Sequence, residues 1–169
     1  IMISSKTLNI DNPKLNCRLK GFEKFSPRRI ILDRNLDIKL NSYIFKSVKK
    51  NNTIIFHKSL NNKKIKILTK KGVFLVKSKI DNKKLFDLRI ILKELYILGT
   101  RNLLIEGGDM ITKNLIKNRL IDKFYLFKSH KNLLTKRKHK TFTSLSILNN
   151  SYKKKYKISS KLAKDNITV

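Results

Sequence analysis

Glu106-Gly107-Gly108 closes the aliphatic run Leu103-Leu104-Ile105 and precedes a helical pattern that starts near Asp109. A strand ending there brings a carboxylate to the edge of a sheet, and two residues without a Cβ let the backbone turn and approach a ligand closely. The first turn of the following helix adds N–H groups with no partner of their own, so these residues together would cradle a phosphate at the carboxyl end of a parallel strand. The same Gly-Gly also serves a plain strand-to-helix turn. A second segment with chemistry, residues 7–18, carries Thr7, Asp11-Asn12-Pro13 and Arg18. Pro13 is expected to hold Asn12 extended while the Asp11 and Asn12 side chains bond nearby backbone, which predicts a defined loop pointing Thr7, Asp11 and Arg18 into one cleft. Standing alone, Asp-Asn-Pro reads as a turn.

Other chemistries lack their residues. There is no GxSxG elbow, no GxxxxGK[ST] phosphate loop, no GxGxxG and no HExxH. His57, His130 and His139 are far apart with no evident carboxylate or cysteine partner, and read as ordinary surface histidines. Cys17 is the single cysteine, so the sequence offers neither an internal disulfide nor a CxxC metal site, and a reducing compartment fits best. No apolar run approaches the roughly 20 residues of a membrane helix and no signal peptide is visible, so a soluble, cytoplasmic protein is expected.

The elements that must position these residues are legible as short apolar runs. Residues 1–3, 29–32, 53–56, 73–76, 103–105 and 124–127 read as strands. Residues 87–98 read as a helix, capped by Asp87, striped with Leu88, Ile91, Leu92, Leu95 and Leu98, and ended by Gly99. Another helix is expected from Asp109 to about Arg119, with Ile111, Leu115, Ile116 and Leu120 facing inward. Buried strands alternating with amphipathic helices predict an α/β fold with a mostly parallel central sheet flanked by helices. One domain over residues 1–169 is expected. Because Ile1-Met2-Ile3 reads as mid-strand, the chain is expected to be truncated at its front. The lysine-rich stretch 131–157 reads as a solvated loop between late strands, or as a basic arm.

The formal charge is +30, from 41 Lys+Arg against 11 Asp+Glu. Such a charge points to a polyanion partner. However, only eight of the cations are arginine, Ala163 is the sole alanine, and Lys, Asn and Ile abound. These residue types follow A/T-rich codons, so base composition explains most of the excess, and nucleic acid is not the expected partner.

In combination, the two chemical segments resemble the C-terminal reductase domain of the bifunctional riboflavin-biosynthesis deaminase-reductase of bacteria. The resemblance rests on four ordered matches: Thr7 with Asp11-Asn12-Pro13-Lys14-Leu15 and Arg18; Pro27-Arg28-Arg29-Ile30-Ile31-Leu32-Asp33; Glu106-Gly107-Gly108; and Leu120-Ile121-Asp122-Lys123-Phe124. It implies a dihydrofolate-reductase-like fold, here without its first strand. It also implies NADPH-dependent reduction of the ribosyl group of 5-amino-6-(5-phosphoribosylamino)uracil to ribityl. Thr7 and Asp11 would then contact NADPH, as would Gly108, Asp109, Met110, Ile111, Thr112, Lys113 and Asn114 around its phosphates. Leu15, Arg18 and Glu106 would contact the phosphosugar-pyrimidine substrate, with the Arg18 guanidinium suited to its phosphate. No general acid is assigned, and no metal is expected. Lys6 and Ser4 replace glycines of the family pattern. Arg34 stands where the family often has a serine that contacts the cofactor, and is expected to meet a 2′-phosphate. Asp109 is expected to cap its helix. Homodimers are common in the family, and a fused zinc deaminase would carry H-x-E and P-C-x-x-C motifs that this chain lacks. A related reductase of another pterin or pyrimidine is the nearest alternative, and a basic nucleic-acid-binding module a distant one.

Overall fold

The computed structural model describes residues 1–49, 52–128, 147–148, 157–158 and 166–168. The chain divides into two compact units, Ile1–Gly108 and Asp109–Val169.

In the first unit, β1 (Met2–Ser4), β2 (Arg29–Leu32), β3 (Thr53–His57) and β4 (Phe74–Lys77) form a parallel sheet in sequential order. Every residue of β2 and β3 is buried, the pattern of parallel strands covered on both faces. Ile3, Ile31 and Ile55 lie side by side in register. They share one face with a core completed by Leu8, Leu36, Ile38, Ile44, Phe45, Leu68 and Val73. Met2, Ile30 and Ile54, also in register, line the other face by strand alternation. The expected α/β class is therefore what the chain forms.

Four helices connect the strands: α1 (Ser5–Asp11), α2 (Tyr43–Lys46), α3 (Asn62–Lys70) and α4 (Leu88–Ile97). Helix α4 follows its sequence signals. Asp87 Oδ1 accepts from Arg89 N at 2.9 Å, Leu88, Ile91 and Leu95 are buried, and Gly99 terminates the helix at φ 86°. The expected strand at 103–105 is reduced to a single parallel bridge between Ile105 and Met2. Bonds from Met2 N to Leu104 O (2.8 Å) and Glu106 N to Met2 O (3.0 Å) hold that segment against β1, on the side away from β2.

Helix α1 is the main departure. Residues 7–11 were expected in a loop, but they are helical. Ser4 caps the helix, its Oγ accepting from Thr7 N at 3.1 Å. Asn12 ends it in the left-handed conformation, φ 44° and ψ 50°, rather than extended. Asparagine tolerates that conformation, and here Asn12 N donates to Leu8 O (3.0 Å) while Asn12 Oδ1 accepts from Tyr43 N (2.7 Å). These two bonds outweigh the push of Pro13 toward extended backbone. Asp-Asn-Pro thus marks a helix end.

The second unit holds α5 (Asp109–Lys117) and a small antiparallel sheet ordered β5 (Leu126–Lys128), β7 (Asn166–Thr168), β6 (Lys157–Ile158). Thr112, Leu115 and Ile116 are the buried residues of α5. Leu120 N bonds Leu115 O at 3.0 Å just past its end, with Arg119 left-handed at φ 54°. Apart from 147–148 and Lys157, the lysine-rich stretch lies outside the described residues.

Candidate functional site

The carboxyl ends of parallel strands are where α/β sheets bind ligands, and four of the expected positions follow such ends. Thr7 and Asp11 come after β1. Four residues apart on α1, they lie on one face of the helix. Thr7 is half-buried, with its hydroxyl 3.0 Å from Ser4 Oγ, and Asp11 is exposed. Ser4, standing where the family pattern has glycine, has a local task as the cap of α1.

Arg34 follows β2. Its neighbour Asp33 is buried, and its carboxylate accepts from Asp37 N (2.8 Å) and Ile38 N (2.9 Å), closing the turn after the strand. Burial pushes the Asp33 carboxyl above its ordinary value, against the pull of those two N–H groups. Arg34 itself reaches across the sheet end, Nη1 donating to Lys84 O at 2.6 Å and Nε to Asn35 Oδ1 at 3.3 Å. It lines a cleft of about 580 Å³ with Lys58, Ser59, Asp81, Asn82 and Lys84. That volume falls within the roughly 300–1,000 Å³ of small-ligand sites. Sequence reasoning named Arg34 alone here. Lys58 and Lys84 carry no motif, and in so lysine-rich a chain only the fold separates them from the background.

Glu106, exposed, stands one residue beyond the bridge to β1, as the strand-end reading expected. At Gly108 a Cβ would meet nothing within 4 Å. Neither backbone conformation nor packing demands glycine there, and among the described residues the space beside it is open.

Leu15 and Arg18 lie on the irregular segment between α1 and β2. Leu15 is left-handed at φ 49° and half-buried against the core. Such a conformation is costly for a leucine. Arg18 is exposed, and no described residue bonds its guanidinium. In the second unit, Met110 and Lys113 are exposed, Asp109, Ile111 and Asn114 half-buried, and Thr112 buried. The Asn114 side chain is engaged by Asn118 Nδ2 at 2.7 Å. No direct bond joins Thr7, Asp11, Arg18, Arg34 and Glu106 to one another among the described residues.

His57 corrects an expectation. As the last residue of buried β3 it is not at the surface but 4% exposed, and its Nδ1 has no partner among the described residues. An apolar run, Thr53-Ile54-Ile55-Phe56, leading directly into it was the available signal. His130 and His139 lie outside the described residues. Burial pushes the His57 imidazolium below its ordinary 6.5; the Ser59 backbone and Asp33 pull up, and Lys77 pushes down. Below pH 6.5 the unfolded chain binds a proton that the folded chain resists. The stability from neutral His57 is therefore complete above that pH and is lost as pH falls through the lower folded value. Urea unfolding followed between about pH 5 and 8 should show this acid loss, and His57→Gln should flatten it. Parallel curves for the two proteins would contradict the assignment.

Among the described residues no group of three or more His, Cys, Asp or Glu is placed to hold a metal ion. Nor is any described helix long and apolar enough to cross a membrane.

Comparison with known proteins gives these positions a context. The riboflavin biosynthesis protein RibD of Aquifex aeolicus (strain VF5) is 30% identical over 127 residues, 75% of this chain and 33% of that protein. The 2,5-diamino-6-ribosylamino-4(3H)-pyrimidinone 5′-phosphate reductase of Debaryomyces hansenii is 31% identical over 134 residues, 72% of this chain and 54% of that protein. The chain thus spans between a third and about half the length of these relatives. Among solved structures, Acinetobacter baumannii RibD, form 2, matches with a TM-score of 0.67 at 19% identity, over 99% of this chain and 45% of that one. The shared fold is the dihydrofolate-reductase-like one that the resemblance implied. A family model described as the RibD C-terminal domain matches residues 1–143, which include both segments that carried the resemblance. By that match the chain belongs to the RibD C-terminal domain family.

Proposed function

We propose that this domain reduces the ribosyl group of 5-amino-6-(5-phosphoribosylamino)uracil to ribityl, with NADPH as reductant, in riboflavin biosynthesis. The observation that carries the reading is family membership, supported by a relative named as a pyrimidinone 5′-phosphate reductase. The chain's own residues fit the cofactor. A cleft bearing Arg34, Lys58 and Lys84 suits its phosphates, and open space at Gly108 admits close approach. Bound there, NADPH would supply the hydride that reduces the sugar C1.

The protein's part is alignment. Thr7 and Asp11, on one face of α1, hold the cofactor from the β1 side, and Arg34 holds it beyond β2. Gly108, Asp109, Met110, Ile111, Thr112, Lys113 and Asn114 are further cofactor contacts implied by the family resemblance; the first turn of a helix is suited to phosphate. Arg18 grips the substrate phosphate, Leu15 packs against the substrate, and Glu106 accepts hydrogen bonds from it. No general acid is assigned. A homodimer and a cytoplasmic setting complete the reading.

The relative from Debaryomyces hansenii favours a second reading, because its named pyrimidine carries an amino group where the uracil carries a carbonyl oxygen. NADPH oxidation by the full-length protein, followed by absorbance with each pyrimidine in turn, decides between them. Turnover of the uracil is expected. Turnover of the diamino compound alone would transfer the assignment, and turnover of neither would overturn it.

A further inference from the structure

The amino ends of the strands, opposite the cleft at their carboxyl ends, carry a different surface. Arg28 stands directly before β2, Lys49 before β3, Lys71 before β4 and Arg101 before Leu103-Leu104-Ile105, and all four are exposed. Because the pairing is parallel throughout, these positions share one end of the first unit. Apolar side chains stand among them. Phe22, Phe25 and Ile97 are each more than half exposed. Phe25 lies three residues before Arg28, with the Phe22 ring centroid 5.9 Å from its own. Arg28 Nη1 donates to Leu98 O at 2.8 Å, which ties this segment to the end of α4 beside Tyr96 and Ile97. The two phenylalanines sit on an ordered projection: Phe25 N donates to Phe22 O (2.9 Å), Ser26 Oγ donates to Glu23 O (2.6 Å), and Cys17 N donates to Ser26 Oγ (3.1 Å). Their exposure is therefore built into the turn.

Charge and ring geometry select the occupant. Residues 19–28 carry Lys20, Lys24 and Arg28 against Glu23 alone, so a second copy of the chain would set cation against cation. Stacking of nucleic-acid bases needs open aromatic faces. Here Lys24 Nζ lies over the Phe25 ring, 5.1 Å from its centroid, and the Arg101 guanidinium over Tyr96 at 4.2 Å, so each ring already has a cation on one face. An anionic bilayer needs no open ring face, because apolar side chains enter the boundary between headgroups and acyl chains while cations at the same level meet lipid anions. We propose that the amino end of the first unit is a docking face for an anionic lipid bilayer. Phe22, Phe25 and Ile97 enter the interface, and Arg28, Lys49, Lys71 and Arg101 meet the headgroups. Lysines spread over the chain attract any polyanion; exposed apolar side chains among the cations single out this end. Docking there leaves the carboxyl-end cleft in water, so the proposal does not depend on the reaction assigned above.

Sedimentation of the full chain with phosphatidylcholine vesicles containing about one-third phosphatidylserine tests the face. The wild type should bind these vesicles and leave pure phosphatidylcholine vesicles unbound. Phe22→Ser/Phe25→Ser alters two exposed side chains and keeps the net charge, and its partition coefficient should fall by roughly tenfold or more. The sequence has no tryptophan, so Phe25→Trp supplies a single reporter whose emission should shift to the blue on the anionic vesicles. A serine pair that binds as tightly as the wild type would leave only the diffuse attraction of a +30 protein and overturn the proposal, as would a tryptophan whose emission stays in place. Binding of oligothymidylate by the wild type that the serine pair loses would assign the face to single-stranded nucleic acid, and so overturn it too.

Discussion

Arg18→Ala is expected to lower kcat/KM for the phosphorylated pyrimidine by about 10²- to 10³-fold, with the KM for NADPH little changed. The expectation follows from where the residue stands. Arg18 is exposed on the segment between α1 and β2, and no described residue bonds its guanidinium. It therefore contributes nothing visible to the fold, and its five N–H groups are available to a ligand. A guanidinium engages phosphate through two parallel charge-assisted bonds, each worth about 1.5–3 kcal/mol. Part of that gain is offset by desolvation. Comparing the phosphorylated substrate with its dephosphorylated counterpart isolates the contact, since the variant and wild type should differ little on the latter. If Arg18→Ala turned over both compounds as the wild type does, Arg18 would not be the phosphate ligand.

The largest expected loss of stability comes from a different arginine. Arg29, the first residue of β2, is 4% exposed, and among the described residues its guanidinium bonds only neutral acceptors. Nε reaches Thr53 Oγ1 (3.1 Å), Nη1 reaches Ser47 Oγ (2.8 Å), and Nη2 reaches both Ser47 O and Asn52 Oδ1 (3.0 Å each). One side chain thus fastens the polypeptide leading into β3 onto the edge of β2. Burial lowers its pKa, and among the described residues the charge is held by dipoles alone. Arg29→Met fills most of the volume but strands those acceptors, and should destabilise the protein by about 2–4 kcal/mol in urea unfolding. Relief of the buried charge keeps the figure from being larger. Arg29→Lys, with a point charge in place of a fork, should fall between the two. A methionine variant as stable as the wild type would show that the bonds are worth no more than the desolvation they offset.

Much of the scaffold was legible because its strands are apolar runs with few interruptions. β2 and β3 coincide with such runs, and α4 carries both its cap, Asp87, and its terminator, Gly99. Helix α1 was not legible. Its seven residues bury only Leu8 and leave Ile10 exposed, so no apolar stripe marks it. Its ends are set by Ser4 and by the contact of Asn12 with Tyr43, a partner more than 30 positions away. The strand at 103–105 was over-read, because an aliphatic run does not ensure a ladder when Leu104 points outward at 58% exposure. Around the candidate site, positions with a motif were found and positions with only a charge were not. Arg34 stood out beside Asp33, whereas Lys58 and Lys84 are two lysines among many until three strand ends bring them together.

The sheet stops at β4, where Phe74 is 42% exposed and Lys77 also faces solvent, with no further strand paired beyond them among the described residues. An open strand edge of this kind is a template for joining another chain. Lys77 and the exposed Lys79 stand along it, with Lys70 and Lys71 just before it, so two such edges approaching each other would bring like charges into contact. Lysines at this edge would therefore oppose edge-to-edge pairing, whatever the origin of the lysine excess in base composition. That opposition weakens as added salt shortens the reach of charge below about 8 Å.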